Sequence, residues 1–139
     1  ECVSGQYDIR PVMSVQSAVV AVRRVAKGDC VGYDFGYVAT EDMNVATVPA
    51  GYGDGYFKTL GNRASCFIGG KLRPIIGTVC MDELMVDCRD DDVHVGDQVI
   101  LLGEAENEKI DAYTIAAWQG TIPYEVTTSI SARVPRIYE

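Results

Sequence analysis

Apolar and polar positions alternate along most of the chain. Met13, Val15, Val19, Ala21 and Val25 share one parity, which predicts a strand through residues 13–25. "NVATVP" (44–49) predicts a short buried strand. "CFIGGKLRPII" (66–76) has two apolar arms around Gly69 and Gly70, the pattern of a hairpin. "TVCM" (78–81) and "LMVDC" (84–88) are further strand candidates, separated by Asp82 and Glu83. "VHVGDQVILLG" (93–103) predicts a Gly-Asp turn, then a strand that stops at Gly103. "EVTTSISARV" (125–134) is rich in β-branched residues and predicts another strand. One segment has helical character. Asp111 can cap "AYTIAAWQ", which puts Ala112, Ile115, Ala116 and an edge of Trp118 on one face, and Gly120 can end it. About eight short strands with one or two short helices make a mostly β protein. An antiparallel, partly closed β-barrel or a sandwich is the expected architecture. With no internal repeat, low-complexity tract or linker, residues 1–139 are expected to form one domain.

Composition narrows the function classes. The 139 residues are 47% apolar and 23% charged, with 20 acidic and 12 basic residues and a net charge of −8. That balance argues against non-specific binding to nucleic acid or anionic membrane. No apolar run approaches the roughly 20 residues of a membrane span. The start, "ECVSGQYDIRP", has neither the pattern of a signal peptide nor an initiator Met, so the chain reads as a piece of something longer. Five cysteines (Cys2, Cys30, Cys66, Cys80 and Cys88) are odd in number and irregular in spacing. They suit free thiols in a cytoplasmic protein rather than a disulfide framework or zinc site.

Few residues offer catalytic chemistry. His94 is the single histidine, and it stands between two valines beside an acidic turn. No Ser-His-Asp or Cys-His arrangement and no transition-metal site is expected. The acidic run 87–92 lacks the spacing of a calcium loop and reads as a solvated turn. Tyrosine is the unusual residue. Of eight, Tyr7, Tyr33, Tyr37, Tyr52 and Tyr56 lie beside glycines or in glycine-rich turns. "VGYDFGY" (31–37) and "AGYGDGY" (50–56) look like two turns of one style. Such phenols either pack over turns or line a polar pocket, with one serving as acid or base. A phenol ionises near pH 10, so a base at neutral pH needs a nearby cation. None is evident in the local sequence.

These residues resemble one family. "VGY" followed by "ATVPAGYGDGY" (46–56), "PIIGTVCMDELMVD" (74–87), "GTIPYEV" (120–126) and "RVPRIY" (133–138) is similar to the C-terminal domain of alanine racemase, from about Pro11 to the end. The resemblance implies a pyridoxal 5'-phosphate enzyme that interconverts L- and D-alanine for peptidoglycan synthesis. Its N-terminal α/β barrel, absent here, would carry the lysine that anchors the cofactor. It further implies a homodimer in which this domain caps the barrel mouth of the second subunit, so the isolated domain should not turn over. By the same resemblance Tyr33 is the catalytic tyrosine, opposite the barrel lysine, and a barrel histidine and arginine supply its missing cation. Tyr52 lines the substrate entrance, and Tyr124 hydrogen-bonds the cofactor phosphate. Met81 touches the substrate carboxylate, and Asp82 belongs to the site wall. Asp54 and Tyr56 are expected to stabilise the turn of Tyr52. Three departures stand out. Asp34 replaces the usual glycine, Thr78 the usual gate arginine, and Pro123 the usual asparagine. A serine racemase of the vancomycin-resistance type, membrane-anchored upstream, is the second enzymatic reading. Some of those carry asparagine where this chain has Tyr124. A non-catalytic β-barrel interaction module is the third.

Overall fold

The computed structural model describes residues 10–106 and 108–138; Cys2 and Tyr7 lie outside them. In chain order the strands are β1 (Val15–Ala18), β2 (Ala21–Val25), β3 (Cys30–Val31), β4 (Tyr37–Val38) and β5 (Met43–Val48). They continue with β6 (Ser65–Ile68), β7 (Lys71–Ile76), β8 (Leu84–Arg89), β9 (Gln98–Ala105) and β10 (Glu108–Ile110). Two helices follow, α1 (Ala112–Gln119) and α2 (Pro123–Ser129). The main sheet runs β1-β9-β6-β7-β8-β5-β2, with β10 paired to β9 and with β3 and β4 paired apart from it. Every pairing is antiparallel.

The single strand expected over 13–25 is two strands. Val19 N–H donates to Asp97 O and Val20 N–H to Thr47 O, both at 2.9 Å. The chain thus passes from the β9 edge to the β5 edge within two residues. This hand-over draws the ends of the sheet together and gives the mostly β, partly closed barrel its curvature. The alternation slips at the same place: Val19 is buried and Ala21 exposed.

Phe67, Ile68, Leu84, Val86, Val99 and Leu101 fill the main core, where α1 and α2 add Ile115, Ala116 and Val126. Each large side chain so buried contributes about 2 kcal/mol. A smaller cluster of Val25, Val31, Met43, Val45 and Ile76 lies on the other side of β5. With both faces covered, β5 buries Met43, Val45, Ala46 and Val48, while Asn44 and Thr47 are half-buried.

Three further expectations are corrected. "TVCM" forms no strand, because its backbone groups bond to a turn described below. β9 does not stop at Gly103: residues 103–105 pair with β10. The β-branched run 125–134 opens as α2, not as a strand. Pro123 starts the helix at a position whose N–H has no intrahelical partner. Val126 is drawn into the core, while the hydroxyls of Thr127 and Thr128 donate back to Tyr124 O. Tertiary packing outweighs local strand preference there. The expected helix forms as read, with Thr114 N–H donating to Asp111 Oδ1 at 2.8 Å and Gly120 closing the end.

The acidic run is not wholly solvated. Asp87 is buried, and the buried guanidinium of Arg73 donates to Asp91 Oδ2 at 2.7 Å and to Cys88 O at 3.4 Å. A buried guanidinium needs such partners. Hydrogen bonds from Arg73 and then Lys71 hold the Asp91 carboxyl below its ordinary range. Cys30, Cys66, Cys80 and Cys88 are free thiols. Burial, helped by Cys88 and opposed by Arg73, pushes the Cys66 thiol up to about 12, which makes it unreactive.

Candidate active-site surface

The stretch with three glycines and two tyrosines forms a short 3-10 turn, Tyr52–Asp54, that docks backbone to backbone. Tyr52 N–H donates to Cys80 O and Gly53 N–H to Met81 O, both at 2.9 Å. A side chain at Gly51 would collide with the carbonyl oxygens of Cys80 and Met81. Gly55 adopts φ 96, and a Cβ there would strike Ser129 O at the end of α2. Asp54 closes the turn from within, accepting Gly51 N–H on Oδ2 at 2.9 Å. Tyr56 supports it from below as a core residue, and burial drives its phenol pKa far upward. Both residues act as the sequence suggests, Asp54 by hydrogen bonding and Tyr56 by packing.

Tyr33 occupies a different turn. Residues 32–36 bridge β3 and β4, which pair only through Cys30 with Val38 and Val31 with Tyr37. Asp34 and Phe35 both adopt left-handed backbone, at φ 57 and 54. Gly36 N–H donates to Tyr33 O at 3.0 Å, and Thr78 Oγ1 donates to the same oxygen at 3.4 Å. Asn62 ties the turn from outside: Nδ2 donates to Gly36 O at 2.8 Å, while Oδ1 accepts Gly77 N–H at 2.7 Å. Sequence reasoning missed Asn62, since nothing local marks it.

Residues 77–82 therefore form a spine. Thr78 meets the Tyr33 turn, Cys80 and Met81 meet the Tyr52 turn, and Met81 and Asp82 belong to the spine itself. Tyr33 is 70% exposed, Met81 51% and Tyr52 44%. Tyr124 is also exposed, in the first turn of α2, whose other end meets the Tyr52 turn through Ser129 Oγ and Gly55 O. Asp82 has its carboxylate engaged: Arg133 Nη2 donates to Oδ1 at 2.5 Å, and Arg133 Nε lies 3.3 Å from Asp54 Oδ1. The hydrogen bond to Asp82 and then the charge of Asp54 raise the Arg133 pKa. Arg133 thus links the C-terminal segment to both the spine and the Tyr52 turn.

The structure also bears on the three departures. Asp34 occupies a left-handed site that suits glycine. Pro123 loses a donor that a first helical residue does not use. Thr78 lines an open hollow of about 350 Å³ together with Lys58, Asn62 and Arg63, so two basic residues share the hollow with it. Among the described residues no cluster of His, Cys, Asp and Glu could hold a metal ion, and no helix is long and apolar enough to cross a membrane.

Comparison with known proteins gives this arrangement a family. Residues 12–138 match the family described as alanine racemase, C-terminal domain. The alanine racemase of Thermodesulfovibrio yellowstonii is 43% identical over 135 residues, 96% of this chain and 37% of that protein. The crystal structure of alanine racemase from E. faecalis superposes with a TM-score of 0.91 at 35% identity, covering 96% of this chain and 35% of the other. That of Bartonella henselae, with covalently bound pyridoxal phosphate, gives 0.84 at 30% identity, covering 91% and 34%. The chain spans little more than a third of these relatives, and it belongs to the alanine racemase C-terminal domain family.

Proposed function

We propose that this chain, as the C-terminal domain of a longer pyridoxal-phosphate-dependent enzyme, supplies one of two proton-transfer groups for interconverting L- and D-alanine. The observation that carries the reading is the spine 77–82. It gathers the turns of Tyr33 and Tyr52 with Met81 and Asp82, four of the residues the family resemblance assigns. Pyridoxal phosphate, when bound, acts as an electron sink that makes the α-proton removable. The described residues offer it exposed phenols rather than an enclosed pocket, which suits a cofactor anchored on another domain. Inverting the centre takes two groups on opposite faces. The Tyr33 phenol takes or returns the proton on one face, opposite a barrel lysine. Tyr52 narrows the entrance, the Met81 backbone meets the carboxylate, and Tyr124 donates to the cofactor phosphate. Asp82 acts through Arg133, by holding the wall in place.

Exposed Tyr33, Phe35, Met81, Ile122 and Tyr124 are apolar side chains that the barrel of a second subunit would cover in a homodimer. Residues 1–139 act here as one capping domain of a cytoplasmic enzyme, and both the intrachain barrel and that of the partner subunit are its neighbours. Tyr124 favours alanine over serine, because the resemblance places asparagine at this position in some serine racemases.

The test is chiral racemisation by the full-length protein with pyridoxal phosphate, on L-alanine and L-serine side by side. Alanine should turn over faster, and Tyr33→Phe should lower that rate by roughly 10²–10⁴-fold. Faster serine turnover would select the resistance-type racemase. Intact racemisation by Tyr33→Phe would remove the catalytic role and favour an interaction module.

A further inference from the structure

We infer that Asn62 is a positioning residue for Tyr33: its side-chain amide struts the tyrosine turn against Gly77, and so sets where the phenol meets substrate. The inference rests on the catalytic reading of Tyr33. That turn is expensive to hold. Two successive non-glycine residues, Asp34 and Phe35, sit in left-handed backbone, at a cost of about 1–2 kcal/mol each. Such a conformation persists only where its surroundings over-determine it. The β3–β4 ladder has just two residue pairs, and the Thr78 hydroxyl bond to Tyr33 O is long at 3.4 Å.

Asn62 supplies the stronger constraint. One planar amide bridges two segments, with both of its bonds short: 2.8 Å to Gly36 O and 2.7 Å from Gly77 N–H. Its own backbone is anchored, since Asn62 N–H donates to Ile75 O at 3.2 Å and Arg63 N–H to Leu60 O at 3.1 Å. Gly36 in turn donates to Tyr33 O, so a displacement at Gly36 passes directly to Tyr33. Proton transfer is sensitive to such a shift: a misplacement of about 1 Å can cost about 100-fold in rate.

Asn62→Asp in the full-length holoenzyme separates the two bonds. It keeps the shape and the acceptor for Gly77 N–H, but turns a carboxylate oxygen toward Gly36 O. Asn62→Ala removes both bonds without adding charge. Each variant should lower alanine kcat by about 100-fold, with KM little changed. The primary isotope effect with α-deuterated alanine should rise in one direction of racemisation and not in the other. In a Tyr33→Phe background neither substitution should cost anything further, because the group it positions is gone. Equal losses in both backgrounds, unchanged isotope effects, or loss of the folded dimer in both variants would overturn the proposal and leave Asn62 a structural residue. Normal racemisation by Tyr33→Phe alone would instead strike the reading of Tyr33, and the role of Asn62 with it.

Discussion

The turns that carry Tyr33 and Tyr52 share a composition but are held to the barrel by different kinds of bond. The Tyr52 turn is fastened through main chain, with two hydrogen bonds to Cys80 and Met81, and further contacts from Ser129, Ser131 and Arg133. The Tyr33 turn is fastened largely through the side chains of Asn62 and Thr78, and it contains two left-handed non-glycine residues. Backbone bonds are indifferent to residue identity except where a side chain would intrude. Side-chain ties can be retuned one residue at a time. The division suits the proposed roles. An entrance wall needs only to stay in place, whereas a proton-transfer group needs its position set closely and can be adjusted without rebuilding the sheet.

The largest expected effect breaks the rigid member of the pair. Gly51→Ala places a methyl against the Cys80 and Met81 carbonyl oxygens. Relief requires the turn to lift and both spine hydrogen bonds to lengthen, a loss of about 3 kcal/mol. The thermal midpoint of the chain should fall by about 10 °C. Hydrogen exchange should show Tyr52 and Gly53 amides losing protection while the Gly36 amide is unaffected. Equal loss at all three would mean that the two turns form one unit.

Arg133→Gln should have an intermediate effect. It removes the pairings with Asp82 and Asp54 but leaves the backbone bonds beneath them. These ion pairs are partly exposed, so the destabilisation should be well below that of Gly51→Ala and should shrink as salt is raised. A salt-independent loss as large as that of Gly51→Ala would make the guanidinium, and not the main chain, the fastening of the Tyr52 turn.

What the sequence discloses follows the same division between local and distant causes. The hairpin over residues 66–76 and the strand over 44–49 are legible because pattern and turn residues lie within them. α1 is legible because its cap and stop, Asp111 and Gly120, are its own neighbours. α2 is hidden, since its residues favour strand and its helix is set by Val126 in the core and by Ser129 bonding to Gly55, 74 positions away. The β1–β2 hand-over is hidden for a similar reason: which edge each half pairs with depends on strands far along the chain. At the proposed site, the ordered motifs point to Tyr33, Tyr52, Met81, Asp82 and Tyr124 through resemblance. Asn62 escapes because its two bonds span 26 and 15 residues.

The smallest effect sharpens the comparison from the side of the Tyr33 turn. Asp34 holds φ 57, where an L-residue is strained by about 1–2 kcal/mol and glycine is not. Glycine gives back roughly 0.5–1 kcal/mol through the greater freedom of the unfolded chain. Asp34→Gly should therefore stabilise the chain by about 0.5 kcal/mol, visible as a small rise in the midpoint of urea unfolding with an unchanged slope. Asn62 and Thr78 would still tie the turn, so racemisation by the full-length protein should keep its pattern of isotope effects. A fall in stability would show that the Asp34 carboxylate makes a local bond worth more than the strain it accepts. The strain at position 34 would then be offset locally, and Asn62 and Thr78 would hold the turn against less than its left-handed residues suggest.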